Sequence, residues 1–157
     1  MTPLKVLKNR SDIGAGTRGS DLGIDALEIA AINANSSFFN RHPYLDIKTH
    51  NETIYNKVQN STAKRINFVL EQCSRVARAV EDTLHKGYFP LVLSGDHSSA
   101  LGTMAGLKRA YPTQKIGVIW MMPMQIYILR IVLHLLIYTA CLSPQHWQMT
   151  IVQTSVI

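Results

Sequence analysis

Short apolar runs alternate with a longer helical pattern along the first 120 residues of the chain. The runs Leu4–Leu7, Phe89–Leu93 and Ile116–Trp120 have the length and composition of buried strands. Between the first two runs, apolar residues recur at spacings of three and four, which predicts a helix with one buried face. These residues are Ile66, Val69, Leu70, Cys73, Val76, Ala77, Val80 and Leu84. Gly87 stands where a left-handed residue would end the helix. Strands separated by helices predict an α/β fold with a parallel sheet.

Three further segments complete the predicted order of elements. Ser11–Gly19 is a glycine-rich loop, and Ile24–Asn33 has a helical pattern, so the chain is predicted to open as strand, loop and helix. A second helix is predicted from Ser98 or Ser99 to about Arg109, with either hydroxyl as its N-cap. The stretch Asn35–Asn60 has no sustained period, which predicts a long, partly ordered connection.

The chain changes character after Trp120. Every glycine and every acidic residue lies before Met121, and Arg130 carries the only charged side chain after it. The segment 121–157 offers neither helix caps nor turn glycines and is predicted to be irregular or helical. We therefore divide the chain into a domain of residues 1–120 and an apolar tail of residues 121–157.

Composition and charge exclude several classes of protein. With 46% hydrophobic and 17% charged residues, the 157-residue chain is ordinary for a globular domain. The net charge of +6 comes from scattered basic residues without interleaved aromatic ones, so we expect no nucleic-acid partner. Cys73 and Cys141 are too few for a disulfide framework, and no leader-like apolar stretch follows Met1, which favours a reducing, cytoplasmic location. Cys73 lies on the apolar helix stripe and is predicted to be a packing residue.

The segment Ser94–Ser99 is the main candidate for chemistry. It follows a predicted parallel strand, and ligands in such sheets collect beyond the carboxyl ends of the strands. His97 is therefore a candidate metal ligand or catalytic base, although a lone histidine near a strand end is more often a structural residue. Asp96 could orient the imidazole or cap the next helix.

The loop after the first strand offers a second, weaker candidate. Gly14, Gly16 and Gly19 formally fit the G-x-G-x-x-G pattern of dinucleotide-binding loops, and a helix follows. Asp12 and Arg18 flank the turn, however, and the next strand does not follow within a compact βαβ unit. A structural turn is therefore the favoured interpretation.

Taken together, four segments resemble the arginase family of ureohydrolases. They are Gly14-Ala15-Gly16-Thr17-Arg18-Gly19, Leu22-Gly23-Ile24-Asp25-Ala26, Ser94-Gly95-Asp96-His97-Ser98 and Ile116-Gly117-Val118-Ile119-Trp120. The resemblance covers Leu4 to Trp120. It implies that His97 is a manganese ligand, with Asp96 and Ser98 beside it as residues that support the ligand or the local structure without binding the metal.

The resemblance also implies a fold and an activity. The fold would be a truncated, partial three-layer α/β/α sandwich with a mainly parallel sheet. The intact family hydrolyses a guanidino substrate, typically arginine to ornithine and urea, with two manganese ions that activate a bridging water, and often forms homo-oligomers. In the family, the strand Ile116–Trp120 continues into Asp-Ala-His-x-Asp with three more ligands, and a later Asp-x-Asp supplies two. Met121–Gln125 occupies the first of these positions, and the second does not occur in the chain.

The genetic code offers an explanation for this departure. Met121–Ile126 is encoded as ATG ATG CCN ATG CAR ATH, and reading from the third base gives GAT GCC NAT GCA RAT. That frame spells Asp, Ala, a residue that can be His, Ala, and Asp or Asn. The same frame permits the family segment His-Gly-Met-Pro at Tyr138–Leu142. We therefore predict that the tail is the product of a frameshift and that the chain is an inactive fragment.

A different class of function treats the tail as meaningful. The apolar run Ile126–Leu142 is at the lower limit of length for a membrane span, and it could tether a non-enzymatic protein to a membrane. Arg130 and His134 lie inside the run and would each cost a few kcal/mol at bilayer depth. Membrane attachment is therefore the alternative and not the main prediction.

Overall fold

The structure is a computed structural model, and it describes residues 2–57, 64–122 and 125–129. Five strands, four α-helices and a 3-10 helix occur in these residues. In chain order they are β1 (Leu4–Asn9), α1 (Leu22–Asn33), α2 (Phe38–Arg41), β2 (Tyr44–Asp46), the 3-10 helix (Asn51–Tyr55), α3 (Ile66–His85), β3 (Phe89–Ser94), α4 (Ser99–Ala110), β4 (Val118–Met122) and β5 (Gln125–Leu129).

Strand β1 lies at the centre of a parallel sheet with the order β2-β1-β3. It pairs with β3 over all six residues, from Leu4 opposite Phe89 to Asn9 opposite Ser94. The carboxyl ends of the two strands are therefore level, and the loops that follow them leave the same edge of the sheet. The predicted parallel α/β arrangement is confirmed in this part of the chain.

Helices cover both faces of the sheet. Neighbouring residues of β1 point to opposite sides, so the strand contributes to one buried cluster on each face. Leu7 packs with Val76, Val80 and Leu107 from α3 and α4. Val6 packs on the other side with Ile24 of α1 and with Leu93. Val6, Leu7, Val76 and Val80 are fully buried. The structure is thus a partial α/β/α sandwich, as predicted.

Two glycines set the close approach of α3 and α4. A Cβ atom on Gly102 would lie 2.6 Å from the carbonyl oxygen of Cys73, and one on Gly106 would lie 2.5 Å from that of Ala77. A heavy atom cannot occupy either position unless the helices separate. Helix α3 ends as predicted: Gly87 has a φ of +76°, and its N–H donates to the carbonyl of Leu84 over 2.9 Å.

The connection predicted over Asn35–Asn60 contains more structure than expected, because it holds α2, β2 and the 3-10 helix. Strand β2 has only three exposed residues, so its sequence carries no alternating pattern. Its order comes from pairing with β1. The N–H of Val6 donates to the carbonyl of Pro43, and the N–H of Ile47 donates to that of Lys8, both over 2.9 Å.

The start of the tail is a β-hairpin, which corrects the prediction that the tail is irregular or helical. Strands β4 and β5 pair antiparallel, with Val118 opposite Leu129 and Met122 opposite Gln125. Isoleucine and tyrosine in Gln125–Leu129 favour a strand, and pairing with β4 satisfies its backbone. Residues 130–157, which include most of the apolar run Ile126–Leu142, lie outside the described residues. Within the described ranges, no helix combines the length and apolar character that crossing a membrane requires.

We predict that Gly106→Ala lowers the free energy of unfolding by about 1–3 kcal/mol, because the new methyl group overpacks the contact between α3 and α4. The higher helix propensity of alanine, worth about 1 kcal/mol, works in the opposite direction. Urea denaturation followed by circular dichroism measures the difference. Gly117→Ala is the control, because a Cβ there meets nothing within 4 Å. A Gly106→Ala protein as stable as wild type would show that the two helices are not packed this closely.

Candidate functional site

The candidate site lies at the carboxyl ends of β1 and β3. The loop of residues 10–21 leaves β1, and the turn of residues 95–98 leaves β3 beside it. The N–H of Gly95 donates to the carbonyl of Asn9 over 3.0 Å, which keeps the two strands paired up to the turn. The site thus lies at the carboxyl edge of the parallel sheet, where the sequence predicts it.

A buried polar network lies beneath the turn. The side-chain amide of Asn9 donates to the hydroxyl of Ser99 over 2.6 Å and to that of Ser94 over 3.2 Å. Gln72 of α3 donates to the Asn9 carbonyl oxygen Oδ1 over 2.7 Å. Because all four residues have most of their surface buried, these bonds fix β1, β3, α3 and α4 relative to one another. Neither Asn9 nor Gln72 is a candidate from the sequence, although Gln72 is a polar residue on the buried side of α3.

Asp96 joins the turn to the glycine loop. Its Oδ2 accepts hydrogen bonds from the hydroxyl of Ser11 over 3.1 Å and from the N–H of Gly14 over 3.0 Å. Its Oδ1 accepts from the N–H of Ser98 over 2.9 Å and from the hydroxyl of the same residue. Gly14 must lack a side chain here, because a Cβ atom would lie 2.7 Å from the Asp96 carboxylate. The carboxylate thus holds both loops in place.

The predicted serine cap of α4 is wrong. Ser98 occupies the N-cap position, but its side chain makes no capping hydrogen bond because its hydroxyl donates to Asp96. The hydroxyl of Ser99 is instead part of the buried network with Asn9 and Ser94. Asp96 instead accepts a hydrogen bond from the N–H of Ser98, the residue just before α4 begins.

His97 lies at the exposed tip of the turn. Partial burial of the ring lowers the pKa of the His97 imidazole below its usual value, and the negative charge of Asp96 acts in the opposite direction. The lower pKa favours the neutral ring at pH 7, which is the form that binds a metal ion. Position and protonation state both suit a ligand role for His97.

The carboxylate of Asp12 holds the end of the glycine loop together, just before α1 begins. Asp12 is fully buried and accepts hydrogen bonds from the N–H of Gly19 over 3.1 Å, the N–H of Asp21 over 2.7 Å and the hydroxyl of Ser20 over 2.6 Å. Arg18 Nε lies 3.2 Å from the same carboxylate. A dinucleotide phosphate would need these N–H groups, which Asp12 already occupies. The loop is therefore a structural turn, as favoured from the sequence.

The donor groups of the described residues do not fit a metal centre of two ions. No group of three or more His, Cys, Asp or Glu side chains within the described ranges is arranged to hold a metal ion. His50 also lies among charged side chains. Its Nδ1 is 3.1 Å from Glu52 Oε1, and its Nε2 contacts Arg75, whose positive charge disfavours a cation there. Manganese needs several oxygen donors in fixed geometry, and His97 supplies one nitrogen.

Cys73 is a packing residue, as predicted from its place on α3. It is 7% exposed, and its thiol donates to the carbonyl of Ser98 over 3.4 Å. Burial is the main cause that raises the pKa of the Cys73 thiol, so the reactive thiolate is disfavoured at pH 7.

Comparisons with known proteins agree on one family. The sequence profile of the arginase family matches residues 6–121. The arginase of Bacillus caldovelox is 31% identical over 122 residues, which are 76% of this chain and 40% of that protein. The arginase of Bacillus subtilis is 33% identical over 119 residues, or 74% of this chain and 38% of that protein.

Solved structures show the same similarity. The native structure of the Bacillus caldovelox arginase superposes with a TM-score of 0.60 at 32% identity, covering 76% of this chain and 40% of that one. The Bacillus subtilis arginase structure gives a TM-score of 0.52 at 30% identity, with 68% and 34% covered. This chain spans about two-fifths of the length of the curated relatives that it matches. The matched region lies in the first four-fifths of the chain and includes the sheet and the candidate site, so the chain belongs to the arginase family.

Proposed function

We propose that this chain is the N-terminal part of a manganese-dependent ureohydrolase that converts arginine to ornithine and urea, and that the 157-residue chain has no such activity. Family membership supports a guanidino substrate for the complete domain. The Asp-Ala-His-x-Asp and Asp-x-Asp motifs that would supply the remaining metal ligands do not occur in the chain.

The observation that carries the proposal is the donor set around His97. We assign His97 as the one manganese ligand of the family that this chain retains. Asp96 is the adjacent carboxylate, but both of its oxygens accept hydrogen bonds from Ser11, Gly14 and Ser98. Asp96 and Ser98 therefore position the turn that carries His97. A single imidazole binds manganese too weakly to hold two ions, and the chain lacks the group that would activate water.

We also propose that residues 121–157 are read out of frame. The family profile ends at Met121, the first residue whose codon would be altered by the loss of one base after Trp120. The shifted frame spells Asp-Ala at this point, where the family continues its metal-binding motif. The end of the family match and the family-like motif in the shifted frame thus coincide at one position.

The charges of the described part give no support to a nucleic-acid partner. Several basic side chains form ion pairs within the fold, which lowers the positive charge available to a phosphate backbone. The pairs are Lys8–Glu28, Arg10–Asp25, Arg18–Asp21, Arg75–Glu71 and Arg109–Glu81. Cys73 is a buried free thiol, which fits the reducing cytoplasm that we propose for the complete enzyme.

We predict that the purified chain, incubated with manganese chloride and arginine, releases urea no faster than a protein-free control. The reason is that His97 alone cannot assemble a two-ion centre. Colorimetric urea detection checks the result, with the Bacillus subtilis arginase as the positive control. Manganese-dependent urea release that disappears in His97→Ala would contradict the proposal.

We predict that sequencing the locus and its transcript from the codon of Ile116 onward reveals a long open frame, shifted by one base after Trp120. That frame should encode Asp-Ala-His-Ala-Asp at the codons of Met121–Ile126 and an Asp-x-Asp motif further on. It should continue for most of the three-fifths of the relatives' length that this chain does not match. A shifted frame that closes within a few codons would show that the tail is not explained by a lost base.

A further inference from the structure

Arg75 of α3 holds the connection between β2 and α3 near its start. Its Nη1 donates to the carbonyl of Lys48 over 2.9 Å, and its Nη2 donates to Glu71 on the preceding turn of α3 over 2.6 Å. The same Nη2 also contacts Nε2 of His50. Arg75 thus ties residues 48–50, which lead into the 3-10 helix, to α3.

These partners fix the position of the proton on the His50 ring. A guanidinium group can only donate hydrogen bonds, so Nε2 of His50 accepts from Arg75 and carries no proton. An ionised carboxylate can only accept, so Nδ1 carries the proton and donates to Glu52 over 3.1 Å. The contacts of His50 are therefore those of a neutral imidazole with its proton on Nδ1.

A charged ring is incompatible with this arrangement. Histidine is the side chain that changes its charge between about pH 5 and 8. A second proton, on Nε2 of His50, would face the guanidinium group of Arg75, and neither group could then accept a hydrogen bond. Glu71 Oε1 lies 3.6 Å from Nε2 and is an acceptor within reach. Protonation therefore favours Glu71 as the partner of Nε2, at the expense of Arg75.

Charged groups from each neighbouring element act on this exchange of partners. Glu71 and Arg75 face the His50 ring from α3, and Glu52 faces it from the 3-10 helix. Lys48, on the same connection as the ring, adds a positive charge near Glu52. A hydrogen bond to its own backbone and one from His50 lower the pKa of the Glu52 carboxyl below its usual value. This carboxylate therefore stays ionised while the ring gains its charge, and Nε2 is the atom that changes partner.

Asn51, the next residue along the chain, joins this contact to the candidate site. Its side-chain Nδ2 donates to the carbonyl of Arg10 over 2.7 Å, and its Oδ1 accepts from the N–H of Asp12 over 2.9 Å. Asn51 is buried, and both of its partners belong to the loop that leaves β1 at the candidate site. The segment that Arg75 holds against α3 is thus directly followed by the side chain that holds this loop.

We propose that His50 is a pH-sensitive switch between α3 and the loop after β1. With the neutral ring, Arg75 binds residues 48–50 and keeps Asn51 in place. With the charged ring, Nε2 turns to Glu71 and Arg75 releases these residues, so the contact between Asn51 and the loop opens more often. The loop is therefore held more firmly above the pH at which His50 gains its proton than below it.

Nitrogen-15 NMR and amide hydrogen exchange on the full chain test the inference. At about pH 7.5 the imidazole spectrum should show the proton of His50 on Nδ1, and at about pH 5.5 it should show protons on both nitrogens. The protection factor of the Asp12 N–H, which corrects for the intrinsic pH dependence of exchange, should fall at least about threefold between these two conditions. The N–H of Val6 donates to the carbonyl of Pro43 beside the sheet, and its protection should change less than about twofold.

His50→Gln is the decisive variant. The glutamine amide can accept from Arg75 and donate to Glu52 as the neutral ring does, but it has no charged form. Protection of the Asp12 N–H should equal that of wild type at about pH 7.5 and should change less than about 1.5-fold on acidification. His85→Gln is the matched control, because it removes another histidine from the last turn of α3. It should keep the loss of protection seen in wild type.

Three results would overturn the inference. The first is a His50 ring that carries its proton on Nε2 at about pH 7.5. The second is an Asp12 N–H whose protection in wild type is the same at both pH values. The third is an equal loss of Asp12 protection in wild type and in His50→Gln, since acid would then act through other groups. None of these results depends on whether the chain releases urea, so the inference stands apart from the proposed function.

Discussion

The parallel pairing of β1 with β3 is the constraint on which the rest of the structure depends. Residues more than 80 positions apart in sequence become neighbours, with Asn9 opposite Ser94 at the carboxyl ends. Because the two ends are level, the loops that follow can exchange hydrogen bonds, and Asp96 reaches both Ser11 and Gly14. A shift of one residue would turn Val6 and Leu7 to the opposite faces and separate those loops.

Strong periodicity made the main elements predictable from the sequence. The apolar stripe of α3, the left-handed Gly87 and the apolar run of β3 are local signals, and the structure confirms each of them. Strand β2 could not be predicted in this way, since its three residues are exposed and its order comes from β1. The same reason explains the error at the tail, where the strand Gln125–Leu129 forms by pairing with β4.

The sequence predicts the position of the candidate site but not the hydrogen bonds that join its residues. The sequence placed His97 at the end of a strand, because a polar Ser-Gly-Asp-His turn after an apolar run is a local feature. The partners of Asp12 and Asp96 are fixed by the fold. Asp12 accepts from the N–H groups of Gly19 and Asp21 just before α1, and Asp96 accepts from the loop after β1, so the oxygens of both carboxylates are already engaged within the fold. Nothing in the spacing of the residues distinguishes such buried anchors from metal donors.

The polar groups at the sheet edge are largely hydrogen-bonded, whereas several apolar side chains of α1 remain exposed. The loops at the sheet edge meet most of their hydrogen-bonding needs internally, through Asn9, Asp12 and Asp96. Helix α1, in contrast, exposes leucine and isoleucine side chains whose burial would be favourable. The hydrogen bonds at the sheet edge therefore hold the loops of the site in place without any contribution from the exposed apolar side chains of α1.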